Sequence, residues 1–162
     1  MSVTRTVGSD HQLARLLQIG MVLEEVVEAR AYKHAQSTDI DLEEDVLELL
    51  EEAAEESAEH RSRLEALIDE LEAEPVAFEK IEPLVEAQYG KTKPDDFDGV
   101  LYDQLCNEET AYKFYDDVIG AIAASETSFS IDRAELVSVL ESIREEEREG
   151  VEEVTELMET HQ

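Results

Sequence analysis

Ser57-Ala58-Glu59-His60 and Glu147-Arg148-Glu149-Gly150 each carry half of one motif. Laid over each other they reconstruct Glu-x-x-His, with Ser57 in place of the Glu and Gly150 in place of the His. Glu-x-x-His sets a carboxylate and an imidazole on one helix face, one turn apart, which is how paired metal ions are held inside four-helix bundles. The overlay extends outward at a constant offset of 90 positions. Val46, Leu50, Ala53, Leu64, Leu67 and Ile68 fall on Leu136, Leu140, Ile143, Val154, Leu157 and Met158. Such positions recur at i, i+3, i+4 and i+7, the buried stripe of an amphipathic helix. Both half-motifs lie within these stripes, so their side chains are expected to point into a core.

The 162 residues are enough for one domain with a real core, and residues 1–162 read as a single bundle. The formal net charge of −30 is extreme, yet 42% of the residues are hydrophobic and the periodicity is clear, which argues against disorder. The acid belongs on solvated helix faces, where it would repel itself in ordinary salt. A high-salt, halophilic cytoplasm is the expected setting, because at 1 M salt the Debye length falls to about 3 Å. The charge also excludes nucleic acid as a partner, since a phosphate backbone is bound by Lys and Arg, and no basic patch exists. No apolar run is long enough to span a bilayer, and Met1-Ser2-Val3-Thr4-Arg5 lacks the apolar core of a secretory signal. Cys106 is the only cysteine, so neither an intrachain disulfide nor a rubredoxin-type iron site is available.

Ser9 to Gln12 makes a capping box, and the first helix is expected from there to Gln36. Ser37-Thr38-Asp39 breaks it, and a second helix is expected from about Asp41 to Glu72. Pro75, Pro83, Gly90 and Pro94 punctuate the next stretch, in which Val76 to Tyr89 predicts one or two short helices. A third helix is expected from about Asp96 to Ala124, and a fourth from the Asp132–Glu135 capping box to about Glu159. No alternating strand pattern is present. Four long helices with one long connection between the second and third give an all-α, ferritin-like four-helix bundle whose crossover contains a short helix. A plain antiparallel helical hairpin is the competitor, and it leaves the repeat unexplained.

Such a bundle also needs one Glu from each of the first and third helices. Glu108 sits at the centre of an apolar face made by Leu101, Leu105, Ala111, Tyr112, Tyr115 and Ile119, a costly place for a carboxylate unless it is paired, protonated or metal-bound. In the first helix, Glu28-Ala29-Arg30-Ala31-Tyr32-Lys33 matches Glu108-Glu109-Thr110-Ala111-Tyr112-Lys113, which favours Glu28. A rival alignment favours Glu25, seven residues before Tyr32, and Glu24 sits closer to the main apolar stripe than either.

Glu108-Glu109-Thr110-Ala111-Tyr112-Lys113-Phe114-Tyr115 resembles the Glu-x-x-Ala-Tyr-x-Phe-Tyr segment of rubrerythrin-like members of the ferritin-like superfamily. Leu50 to Leu64, running through Glu59-His60-Arg61, resembles that family's second helix. The resemblance implies a carboxylate-bridged di-iron site that reacts with oxygen or peroxide. It also implies that Ser57 removes one bridging carboxylate and Gly150 one terminal imidazole. The surviving set is Glu28, His60, Glu108 and Glu147, with Glu28 and His60 on one metal, Glu108 on the other and Glu147 between them. One iron, manganese or zinc ion fits this incomplete set better than a pair. The expected role is iron or oxidative-stress chemistry, with turnover dependent on an external electron donor, and the expected assembly is a homodimer. The alternative is a non-catalytic interaction or structural bundle without metal, in which water, Tyr hydroxyls or a raised pKa hold the remaining carboxylates. Tyr32, Tyr112 and Tyr115 are read as core packing, and His34 as a helix-end residue favoured by the dipole.

Overall fold

The computed structural model describes residues 7–36, 42–74 and 97–160, and their regular structure is entirely helical. The elements are α1 (Asp10–Gln36), α2 (Glu44–Asp69), α3 (Phe97–Ala124) and α4 (Arg133–Thr160). The expected caps form at α1 and α4. Ser9 Oγ accepts from the Gln12 amide at 3.2 Å, and Gln12 Oε1 reaches back to the Gly8 amide at 2.6 Å. Asp132 Oδ2 accepts from the Glu135 amide at 3.3 Å.

Helix α2 is shorter than its periodicity predicts, because the chain turns where another set of partners becomes available. After Asp69 the amides of Glu70 and Leu71 close on the Leu67 and Ile68 carbonyls. The Glu72 amide then bonds Asp10 Oδ2 at 3.2 Å and Ser130 Oγ at 3.0 Å, which ties the start of α1, the end of α2 and the entry to α4 together. The break at Ser37-Thr38-Asp39 and the short helix expected within Val76 to Tyr89 lie outside the described residues.

The helices pack chiefly as two pairs, α1 with α2 and α3 with α4, and α1·α3 and α2·α4 contacts join the pairs. All four packings are antiparallel. Asp10 meets Glu72 while Glu28 meets Arg61; Asp116 meets Arg144 while the Ile122 carbonyl meets Arg133; Val7 meets Ser125 while Arg30 meets Asp103; and His60 meets Glu147 while Glu72 meets Ser130. Helices α2 and α3, neighbours in sequence, therefore run parallel.

Every inward stripe is apolar at both ends and polar near its middle. In α1 it reads Leu13, Leu17, Gly20, Glu24, Val27, Ala31, and in α2 it reads Leu50, Ala54, Ser57, His60, Leu64, Leu67. In α3 it reads Leu101, Gln104, Glu108, Ala111, Tyr115, Val118, and in α4 Leu140, Ile143, Glu147, Gly150, Val154. The core is accordingly split in two. One cluster gathers Leu13, Leu17, Leu64, Leu67, Ile122 and Leu136, and the other Ala31, Val46, Leu50, Val100, Leu101 and Val154. Between them lies a layer of buried carboxylate, imidazole, amide and hydroxyl groups. No helix among the described residues is long and apolar enough to cross a membrane.

Candidate metal centre

The layer is built from one inward position on each helix. His60, on α2, is 1% exposed and has acidic groups on both sides of its ring. Its Nδ1 lies 2.9 Å from Glu147 Oε1 and 3.5 Å from Glu24 Oε1. Glu24 Oε1 also accepts the Tyr115 hydroxyl at 2.9 Å. One ligand atom from each of Glu24, His60 and Glu147 falls within 4.8 Å of the others, and all three residues are buried. Glu108 completes the group from α3. Gln104 Nε2 donates to its Oε1 at 2.9 Å, and the Glu108 and Glu147 carboxyl groups are close enough to share a hydrogen bond.

Gly150 explains where Glu108 goes. A Cβ built on Gly150 would stand 2.5 Å from Glu108 Oε2 and 2.6 Å from Cδ. The volume that a side chain would fill on α4 is occupied by the α3 carboxylate. The gap in the second half-motif is thus the seat of Glu108.

The structure brings His60, Glu108 and Glu147 together at this centre. Glu28 lies apart, half-buried, with Oε2 2.5 Å from Arg61 Nη1. Glu24 takes the inward place on α1 because it stands three, four and seven residues from Met21, Gly20 and Leu17 on the buried stripe. The repeat that favours Glu28 equates Tyr32 with Tyr112, but Tyr32 is 56% exposed whereas Tyr112 is half-buried, so the two runs do not occupy equivalent faces. Among the described tyrosines, Tyr115 is the one whose hydroxyl enters the centre. His34 is not a free helix-end residue, since its Nε2 lies 2.9 Å from Oδ2 of the fully buried Asp103, which Arg30 also binds.

The electrostatics follow from crowding carboxylates in a buried layer. Burial, followed by the charge of Glu24, holds Glu147 well above the ordinary glutamate range. Burial also raises Glu108, although hydrogen bonds from Glu147 and Gln104 oppose it. The pair thus favours holding a proton at pH values where free glutamates are ionised. Burial works against the imidazolium of His60, but the hydrogen bond and charge of Glu24, with the charges of Glu56 and Glu146, outweigh it and raise its pKa. Glu147 is the nearer carboxylate to Nδ1, while Glu24 is the strongest single influence favouring the imidazolium. Glu56, one turn before His60, is pushed up to about 8 by burial and by the charge of Glu108.

All these shifts have one sign. The folded chain binds more protons than the unfolded chain above the ordinary glutamate value of 4.5 and up to about 8. Stability of the metal-free protein should therefore fall as pH rises through that window. Urea midpoints at fixed high salt, about pH 6 against about pH 8, check this, and a midpoint that is flat or rises with pH would rule out proton sharing between Glu147 and Glu108.

Two buried atoms on the inner side of the layer, Glu24 Oε2 and Gln104 Oε1, have no hydrogen-bond partner among the described residues, and neither has His60 Nε2, which faces away from them toward Glu56 and Glu146. Orphaned atoms of this kind are rare and call for an explanation such as an ion. Carboxylates with one imidazole are a donor set that iron, manganese and zinc accept. The residues thus fit a divalent cation at Glu24, His60 and Glu147. Gln104, which holds Glu108, escapes the linear reading; its one signal is an amide four residues before a carboxylate on the same stripe. No family model, curated protein or solved structure matches the chain.

Proposed function

We propose that this is a ferritin-like, rubrerythrin-like bundle whose centre holds one divalent metal ion, iron or manganese, and serves iron or oxidative-stress chemistry. The observation that carries the reading is the polar layer itself: three buried carboxylates and one imidazole, one group from each helix, at mid-length between two apolar clusters. The parallel course of α2 and α3 supports it, because a ferritin-like bundle joins those helices by its long connection. Glu24, His60 and Glu147 would hold the ion, with Glu108 beside it on Gly150. Bound iron or manganese would supply one-electron chemistry. The chain's own part is to fix the donors through Tyr115 and Gln104 and to keep water from the centre. The charge of −30 supports a high-salt cytoplasm, and a homodimer belongs to the same reading.

A second reading, a metal-free interaction or structural module, is favoured by the proton that Glu147 shares with Glu108, since it satisfies much of the layer without an ion. Metal analysis and thermal unfolding separate the two. Protein purified from high salt should carry about one equivalent of metal, and added Mn²⁺ at a hundredfold excess over Kd should stabilise it by about 2.7 kcal/mol. Glu24→Gln with Glu147→Gln should abolish both effects at the inner position. Sub-stoichiometric metal with no stabilisation by Fe²⁺ or Mn²⁺ would leave the structural module as the function.

A further inference from the structure

We propose a second divalent-cation site on the outer side of His60, formed by Glu56 Oε1, His60 Nε2 and Glu146 Oε2. Nε2 lies 3.7 Å from Glu56 Oε1 and 3.5 Å from Glu146 Oε2, too far for good hydrogen bonds. These three ligand atoms fall within 4.8 Å of one another. The observation that points to a ligand is Nε2 itself: it belongs to a side chain 1% exposed, it has no hydrogen-bond partner among the described residues, and it faces two carboxylates. Nδ1 stands at 2.9 Å from Glu147 Oε1, a distance that suits an Nδ1–H donor; with that proton in place, a cation at Nε2 takes the position of the second proton, which the same carboxylates otherwise favour on the ring. A carboxylate behind a histidine whose other nitrogen faces outward is the arrangement that prepares imidazole for a metal.

The outer position differs from the inner one in access. The side chains of Glu56 and Glu146 are 36% and 32% exposed, so a cation reaches them without crossing the core. Arg63 Nη1 sits 2.6 Å from Glu146 Oε2 and would have to yield that oxygen. A neutral imidazole has one lone pair, so inner and outer ions compete for His60, and each uses carboxylates that the other does not.

Zn²⁺ titration of the full chain, followed by calorimetry and by the ¹⁵N shifts of the His60 ring, tests the site. In E24Q/E147Q the inner carboxylates are gone, but the new side-chain amide at position 147 can still accept from Nδ1. Zn²⁺ should bind that variant and shift Nε2. Adding E56Q/E146Q to that background should weaken binding at least tenfold. R63Q in the otherwise unaltered protein should tighten Zn²⁺ several-fold by removing the competitor, and this readout does not depend on the inner variants folding. An Nε2 resonance unmoved by Zn²⁺ in E24Q/E147Q, an affinity indifferent to E56Q/E146Q, or an R63Q protein that binds no tighter would overturn the proposal. The inner site is read separately in E56Q/E146Q: no binding there, with binding retained in E24Q/E147Q, would remove the inner site and support the outer one.

Discussion

His60→Ala should destabilise the metal-free protein by about 3–5 kcal/mol, the cost of removing one partner from a buried, hydrogen-bonded charge group. Among the described residues, His60 is the basic side chain that touches the inner carboxylates Glu24 and Glu147. Its loss strips Glu147 of the Nδ1 donor and leaves Glu24, Glu108 and Glu147 buried with Tyr115 and Gln104 to serve them. The cavity adds to the penalty. Chemical denaturation at fixed salt measures the effect. The same variant should lose cation binding at both trios, since both use this ring. A cost below about 1 kcal/mol, the size of an ordinary hydrogen bond, would show that the layer is hydrated rather than dry.

Gly150→Ala should reverse the usual helix rule. Inside a helix that exchange ordinarily stabilises by about 0.8–1 kcal/mol. Here the new methyl would meet Glu108 Oε2 at 2.5 Å, and that carboxylate is 7% exposed and bonded to Gln104 and Glu147. The side chain is flexible, but moving it breaks its partnerships, and a net loss of about 1–3 kcal/mol is expected. In a Glu108→Ala background the obstruction is gone, and the same Gly150→Ala change should stabilise by about 1 kcal/mol. A double-mutant cycle reads the change of sign directly. If Gly150→Ala stabilises the unaltered protein, Glu108 does not sit on the glycine. The same geometry bears on rebuilding Glu-x-x-His: Gly150→His must evict Glu108, because imidazole and carboxylate are alternatives for one volume.

Much of the architecture was legible because helical periodicity and capping are local. The stripes and the Ser9 and Asp132 caps place the starts of α1 and α4 closely, and the offset of 90 positions correctly sets Ser57 and Glu147 in the core. His60, Glu108 and Glu147 could be read for the same reason: each interrupts an apolar face. Glu24 and Glu28 were harder to separate, since they differ by about one turn and only the packing of α1 against Tyr115 and His60 selects between them. Sequence likeness of the Glu28 run to the Glu108 run points instead to Glu28, which lies against Arg61, because it compares faces that the bundle does not use alike. The role of Gly150 was beyond a linear reading, as the atom filling its space comes from another helix. The outer carboxylates were hidden for a different reason: in a chain with 43 acidic residues, Glu56 and Glu146 look like any solvated pair until their distance to Nε2 is known.

The division of the core has a consequence for how the helices find their alignment. Two apolar clusters in a row would let a helix slip along its neighbours with little loss, leucine replacing leucine. The polar layer forbids this. A slip of one turn, about 5.4 Å, would drive Glu24 or Glu147 into an apolar level and strand Tyr115, Gln104 and His60 without acceptors. The carboxylates that weaken the bundle thus also act as its length gauge, fixing one sliding position out of several that hydrophobicity alone would accept.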